Sequence, residues 1–363
     1  MLYGLKAVDD HPCFDMQELF NNLFFDHVFD KDFNDSVFPA IYTTQYLNGY
    51  GKQFKKSVEN LKAKLPKQKG KKKKLYSQFV NNNLIKLSCD NSAILPESNF
   101  NWSVGNSKIL KDFMINCFES KLDTDPFKRP GCSDKPTHRF YKDFIKLNGS
   151  ICPFCGLNQY KNIFGVQRED LDHYLYKGKY PLASVNMWNL VPTCSECNQG
   201  YKKAKDILFD GTVRKKAFYP YEDIAGVKVK LNLDVSINTK TPDAWSVEVT
   251  PSSVTDKEKV ENWCRIYGIE QRYKNELAVE HDKWIERELI PRNSTFSGID
   301  EFREFMSEKA KQHFEFYQLK IEPKAFLKKA FFEFVANDAD DNFVCKFLLP
   351  FNARIQGTVL VTT

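Results

Sequence analysis

Long apolar runs are missing from this chain. No stretch of its 363 residues approaches the roughly eighteen apolar residues of a membrane-spanning helix, and the longest candidates, Phe113 to Phe118 and Phe347 to Phe351, are core-sized. Met1 to Asp10 lacks the apolar segment of an export signal. The expectation is a soluble, cytoplasmic protein with no membrane partner. Strong net charge is lacking too. At +6, the basic excess permits a polyanionic partner without demanding one, because placement of charge decides binding. No internal repeat of solenoid length is found, which argues against a stacked-repeat architecture. Disorder is excluded by composition: 42% of residues are hydrophobic and 31 are Phe, enough apolar mass for real cores.

The ten cysteines need a role. In a reducing cytoplasm thiols stay reduced, so metal binding or packing is expected rather than disulfides. The length suggests two or three domains, or one core with large flanks. Composition and periodicity divide it into 1–136, 137–210 and 211–363. The first region reads as mainly helical, with Leu19, Phe20, Leu23, Phe24 and His27 near helical spacing over Met16 to Phe29 and another helix near Ile109 to Ser120. Lys62, Lys64, Lys67, Lys69 and Lys71 to Lys74 crowd around Pro66 and Gly70, and 62–74 is read as a loop. Clustered lysines suit phosphates, but the solvated-linker reading is preferred. Pro126, Pro130, Gly131 and Pro136 mark a boundary, followed by a helix over His138 to Leu147 that Asn148-Gly149 stops.

In the last region Val227, Val229, Leu231, Leu233 and Val235 alternate with polar residues, as do Trp245, Val247 and Val249. That pattern predicts a β-hairpin. Helices follow over Asp256 to Tyr267, stopped by Gly268, then Glu270 to Leu289, Phe302 to Leu319 and Lys324 to Ala336. Asp338, Asp340 and Asp341 read as a turn. The fold class expected is α+β.

The middle region carries the chemistry. Cys152-Pro153-Phe154-Cys155-Gly156 and Cys194-Ser195-Glu196-Cys197 are two C-x2-C pairs. Each pair aims two sulfurs at one ion, and together they complete a tetrahedral all-sulfur zinc site with no open position, hence a structural one. Four buried cysteines or a redox pair would explain neither the second matching pair nor Gly156 directly after Cys155. The remaining Cys13, Cys89, Cys117, Cys132, Cys264 and Cys345 read as buried small hydrophobes.

Between the pairs lie Asp170-Leu171-Asp172-His173-Tyr174-Leu175 and Asn189-Leu190-Val191-Pro192, and Asn198 follows the last cysteine. Leu171 and Val191 suit two short strands, and Ser195 to Asp206 a helix carrying Lys202, Lys203 and Lys205. The order Cys-x2-Cys, Leu-Asp-His, Asn-Leu-Val-Pro, Cys-x2-Cys-Asn over Gly149 to Asp206 resembles the HNH endonuclease (His-Me finger) family. The resemblance implies a central treble-clef-like ββα-metal module with helical flanks. It implies His173 as general base, Asp172 and Asn198 as ligands of a catalytic Mg²⁺ or Mn²⁺, and Asn189 as a brace for the loop holding His173. Tyr176 stands where the family often has Pro. An Asp-Asn oxygen set suits a hard cation acting on a phosphodiester. A solvated imidazole with a pKa of roughly 6.5 is partly neutral near pH 7 and able to take a proton from water. Lys202, Lys203 and Lys205 would hold adjacent phosphates or, equally, form with Tyr201 an ordinary solvated helix face.

The expected activity is hydrolysis of nucleic-acid phosphodiester bonds, in DNA. The alternatives are a ribonuclease using the same site, such as one cutting tRNA, and a non-catalytic zinc module that binds nucleic acid or protein. Proteins resembling this one include effectors of bacterial anti-phage and restriction modules, some with an ATPase partner.

Overall fold

Helix formation in the N-terminal half follows the spacing of its aromatic residues. In a computed structural model of the chain, residues 2–8, 10–90, 104–128, 133–161, 168–222 and 226–357 are described, with side chains from 107 in the second helical block. Two compact units result. One comprises Gly4–Gly149 and Tyr160–Asp223, and the other Met1–Tyr3, Ser150–Gln159 and Ile224–Thr363.

The first unit holds α1 (Asp15–Val28), α2 (Thr44–Asn48), α3 (Lys52–Lys64), α4 (Lys69–Asn83), α5 (Ile85–Asp90), α6 (Val104–Asn116) and α7 (Pro136–Asn148). The face of α1 formed by Met16, Leu19, Phe20, Leu23 and Phe24 is buried. Phe24 packs on Phe79 of α4 with ring centroids 4.5 Å apart, and Phe54 of α3 stacks on Phe113 of α6. Phe24 and Phe79 are almost wholly buried, and each such ring stabilises the unit by roughly 1.5–3 kcal/mol.

The lysine-rich stretch corrects the loop reading of 62–74. It is helical on both sides of a short break, α3 ending at Lys64 and α4 starting at Lys69. Lysine is itself a good helix former, and Gly70 falls in the first turn of α4, where backbone N–H groups have no helical partner to lose. The break is set by Pro66, which forces Leu65 into extended backbone at φ −64°, ψ 155°. Lys72 is buried and pairs with Asp30.

The same unit contains β1 (Leu171–His173) and β2 (Leu190–Pro192), paired antiparallel with Leu171 opposite Pro192 and His173 opposite Leu190. A second small hairpin joins β3 (Phe209–Asp210) to β4 (Val213–Arg214). Between the hairpins lies a π-helical turn, Glu196–Lys202, which stops at Lys203 with φ 49°. The helix expected through Asp206 is therefore shorter, and Lys203 and Lys205 lie beyond it.

The second unit pairs β5 (Val227–Leu233) with β6 (Trp245–Pro251) in the alternating register expected, Leu231 opposite Val247. Five helices follow: α8 (Lys257–Tyr267), α9 (Ile269–Leu289), α10 (Ile299–Gln318), α11 (Ala325–Asn337) and α12 (Asp341–Ile355). Gly268 ends α8 at φ 61°, a left-handed conformation that glycine adopts without penalty. Asp340, expected in a turn, caps α12 by accepting from the N–H groups of Asn342 and Phe343. Helices and small antiparallel hairpins together make a mixed architecture compatible with α+β. Among the described residues, no helix is long and apolar enough to cross a membrane.

Of the six cysteines outside the two pairs, Cys13, Cys89 and Cys117 are buried as expected, whereas Cys264 and Cys345 are only half-buried. Cys132 lies outside the described residues, as do Pro130 and Gly131 of the expected boundary.

Candidate functional site

Each cysteine pair sits on a tight turn fixed by its own backbone. Around the first, Ile151 bridges Gln159, Cys152 N–H donates to the Asn158 carbonyl (2.9 Å) and Gly156 N–H to the Cys152 carbonyl (2.9 Å). Gly156 has φ 67°, a left-handed conformation that glycine adopts without penalty, and a Cβ there would come within 2.6 Å of Leu2 Cδ1, so that side chain would have to shift. Leu157 N–H points at Cys155 Sγ (3.4 Å). Trp263 Nε1 donates to the Phe154 carbonyl and the Tyr273 hydroxyl to that of Cys155. At the second pair, Asn198 N–H donates to the Cys194 carbonyl (3.0 Å).

The Sγ atoms of Cys152, Cys155, Cys194 and Cys197 lie within 4.8 Å of one another, and all four residues are buried. Zn–S bonds of about 2.3 Å in a tetrahedron place sulfurs roughly 3.8 Å apart. The cluster is thus of the right size and chemistry to bind a structural metal such as zinc.

Asp172 and His173 are carried on β1 and line a cavity of about 340 Å³ together with Asn198, Arg168, Lys177, Lys203 and Phe118. The His173 ring packs edge-on against Phe118, centroids 4.3 Å apart, and its Nε2 lies 2.9 Å from the Ser184 carbonyl. A carbonyl can only accept, so Nε2 carries the proton and Nδ1 keeps the lone pair. Burial pushes the His173 pKa down to about 3; the Ser184 bond opposes this only in part, while Lys177 and Lys202 reinforce it. The imidazole is therefore neutral throughout the neutral pH range, not partly protonated as in water.

Asn189 is fully buried away from the cavity. Its Oδ1 accepts from Leu175 N–H (2.7 Å), and its Nδ2 donates to the carbonyls of Leu175 and Ala183 (both 3.1 Å). It closes the loop whose Ser184 carbonyl orients His173.

Lys202 corrects the expectation of a surface lysine on phosphate. It is wholly buried and donates to Asp172 Oδ1 (2.8 Å) and to the His173 carbonyl (2.7 Å). The π-helical winding of 196–202 turns it inward, which residue spacing on an ordinary helix does not reveal. Burial pushes the Asp172 carboxyl upward, and the Lys202 ammonium works against that shift. Asp172 Oδ2 is buried with no hydrogen-bond partner among the described residues. Lys203 is exposed at the cavity; Lys205 is exposed and not among the residues lining it.

Sequence spacing missed Phe118, Arg168 and Lys177. Lys177 is paired with Glu119 (2.6 Å), and Arg168 donates to the Glu169 carbonyl and to Thr137 Oγ1. Phe118 is more than fifty positions from His173 along the chain, so nothing local signals their contact.

No family model matches the chain, and no solved structure matches it. Protein ea31 of Escherichia phage lambda is similar to it, at 26% identity over 227 residues, spanning 57% of this chain and 68% of that protein.

Proposed function

We propose that the chain is a metal-dependent nuclease of the HNH type that hydrolyses phosphodiester bonds in DNA, with His173 as general base. The observation that carries this reading is the convergence of Asp172, His173 and Asn198 on one cavity with a cationic rim. The donor set fits a divalent ion: Asp172 Oδ2 is a buried carboxylate oxygen with no hydrogen-bond partner among the described residues, and Asn198, which lines the same cavity, offers a neutral oxygen. Asp172 and Asn198 would hold Mg²⁺ or Mn²⁺, which when bound supplies charge stabilisation at phosphate oxygens.

The chain's own residues account for the rest. Donation of Nε2–H to Ser184 directs the lone pair of Nδ1 to accept a proton from attacking water. Asn189 fixes the loop that sets this tautomer. Lys203 and Arg168 draw a phosphate towards the cavity. A ribonuclease would use the same groups. The Lys202–Asp172 pair favours a second reading, a zinc-stapled module that binds without cutting, since Lys202 already neutralises one Asp172 oxygen.

The test is incubation of the purified chain with supercoiled plasmid, linear duplex DNA and total tRNA, with added Mg²⁺ or Mn²⁺ and with excess EDTA. Metal-dependent loss of DNA is expected. Loss of tRNA alone would transfer the reading to a ribonuclease, and no loss of any substrate would favour the binding module.

A further inference from the structure

The lysines around the α3–α4 turn take no part in the cavity just described. Lys64, Lys67, Lys69, Lys71 and Lys73 are all exposed, and among the described residues none of them is paired with a carboxylate. Neighbouring lysines behave differently: Lys55 pairs with Asp35, Lys72 with Asp30, and Lys62 donates to the Lys31 carbonyl. From Lys52 to Asn83 the chain has a single acidic residue, Glu59, and the first turn of α4 has none to offset the positive end of its dipole. Self-repulsion in such a patch costs stability that a polyanion would relieve.

The patch is rigidly mounted. Leu65 is buried, and the Pro66 carbonyl accepts from His27 Nε2 (2.9 Å). At the far end of α4, Asn83 Nδ2 donates to the Leu182 carbonyl (3.1 Å) and Asn83 Oδ1 accepts from Asn186 Nδ2 (3.0 Å). Both partners belong to the loop that carries Ser184, the acceptor for His173. At about 1.5 Å per residue, Lys71 stands roughly 18 Å along the axis from Asn83. That is about half of the 34–36 Å turn of a DNA duplex.

We infer that the α3–α4 turn is a docking surface for duplex DNA, held by its phosphate backbone without reading sequence. It lies about half a helical turn from the loop that orients His173. The inference gives the nuclease reading a substrate track but is measured by binding, so either can fail alone.

The experiment uses the full chain carrying His173→Ala, so that the probe stays intact, and follows anisotropy of a short fluorescein-labelled DNA duplex across a NaCl series. Lys69→Gln/Lys71→Gln is compared with Lys228→Gln/Lys230→Gln, a pair of exposed lysines on β5 that changes net charge equally. The first pair is expected to weaken binding several-fold and to lower the slope of log K against log salt by about 0.9 per lost phosphate contact. The second is expected to leave the slope unchanged. Equal effects of the two pairs, no DNA binding by the parent protein, or binding of an RNA duplex in preference to DNA would each overturn the inference.

Discussion

Lys202 Nζ stands 2.8 Å from Asp172 Oδ1 with both side chains almost wholly excluded from solvent. Removing one member of such a pair strands a buried charge, which typically costs about 3–5 kcal/mol. Lys202→Met is therefore expected to destabilise the protein by about that amount in urea unfolding. Asp172→Asn combined with Lys202→Met should cost less than Lys202→Met alone, because no charge is left buried. Equal costs for the single and double variants would show that the pair is not the source of the loss. Asn189 makes a different case. Its side chain satisfies three backbone groups at zero exposure, and Asn189→Ala leaves them unpaired at about 1–3 kcal/mol each.

Turns and helix ends show what was legible along the chain. The two cysteine turns could be read because metal-ligand spacing is local, and the β5–β6 hairpin because alternation is local. The α3–α4 hairpin was not, since crowded lysines with Pro66 and Gly70 resemble a linker until Phe54, Leu61, Leu75 and Phe79 are seen buried. Nor was α12, which carries Pro350 within it. The inward Lys202 and the Phe118 wall depend on tertiary contacts that no spacing encodes. The approach of helices α9 and α10 has a testable consequence. His313 of α10 lies 3.3 Å from Glu288 of α9 and 3.1 Å from Glu322. Burial would lower the His313 pKa, but its two carboxylate partners outweigh that and raise it. The hydrogen bond from His313 helps hold Glu288 down at about 2. The raised histidine adds stability that is full below its unfolded pKa near 6.5 and fades as pH rises through the folded value. The depressed Glu288 adds stability that is full above roughly 4.5 and fades towards 2. The network therefore contributes most between about pH 4.5 and 6.5, and His313→Gln should flatten the fall in melting temperature above that window. An unchanged alkaline limb would assign the pH dependence elsewhere.

For the molecule as a whole, the chain combines a four-sulfur cluster with a cavity built on β1, and the two are expected to answer to different metals. Elemental analysis of the purified chain should find one zinc per molecule, and Cys194→Ser should lower both zinc content and melting temperature, because metal binding is coupled to folding. The added divalent ion should alter cleavage without changing zinc content. The most direct measurement of the central claim compares wild-type and His173→Ala protein, matched for zinc content and melting temperature, in Mg²⁺-dependent cleavage of supercoiled plasmid. Loss of a general base predicts a rate lower by about 10²–10⁴-fold for the variant. Cleavage by His173→Ala at the wild-type rate would contradict the assignment of His173 as the base.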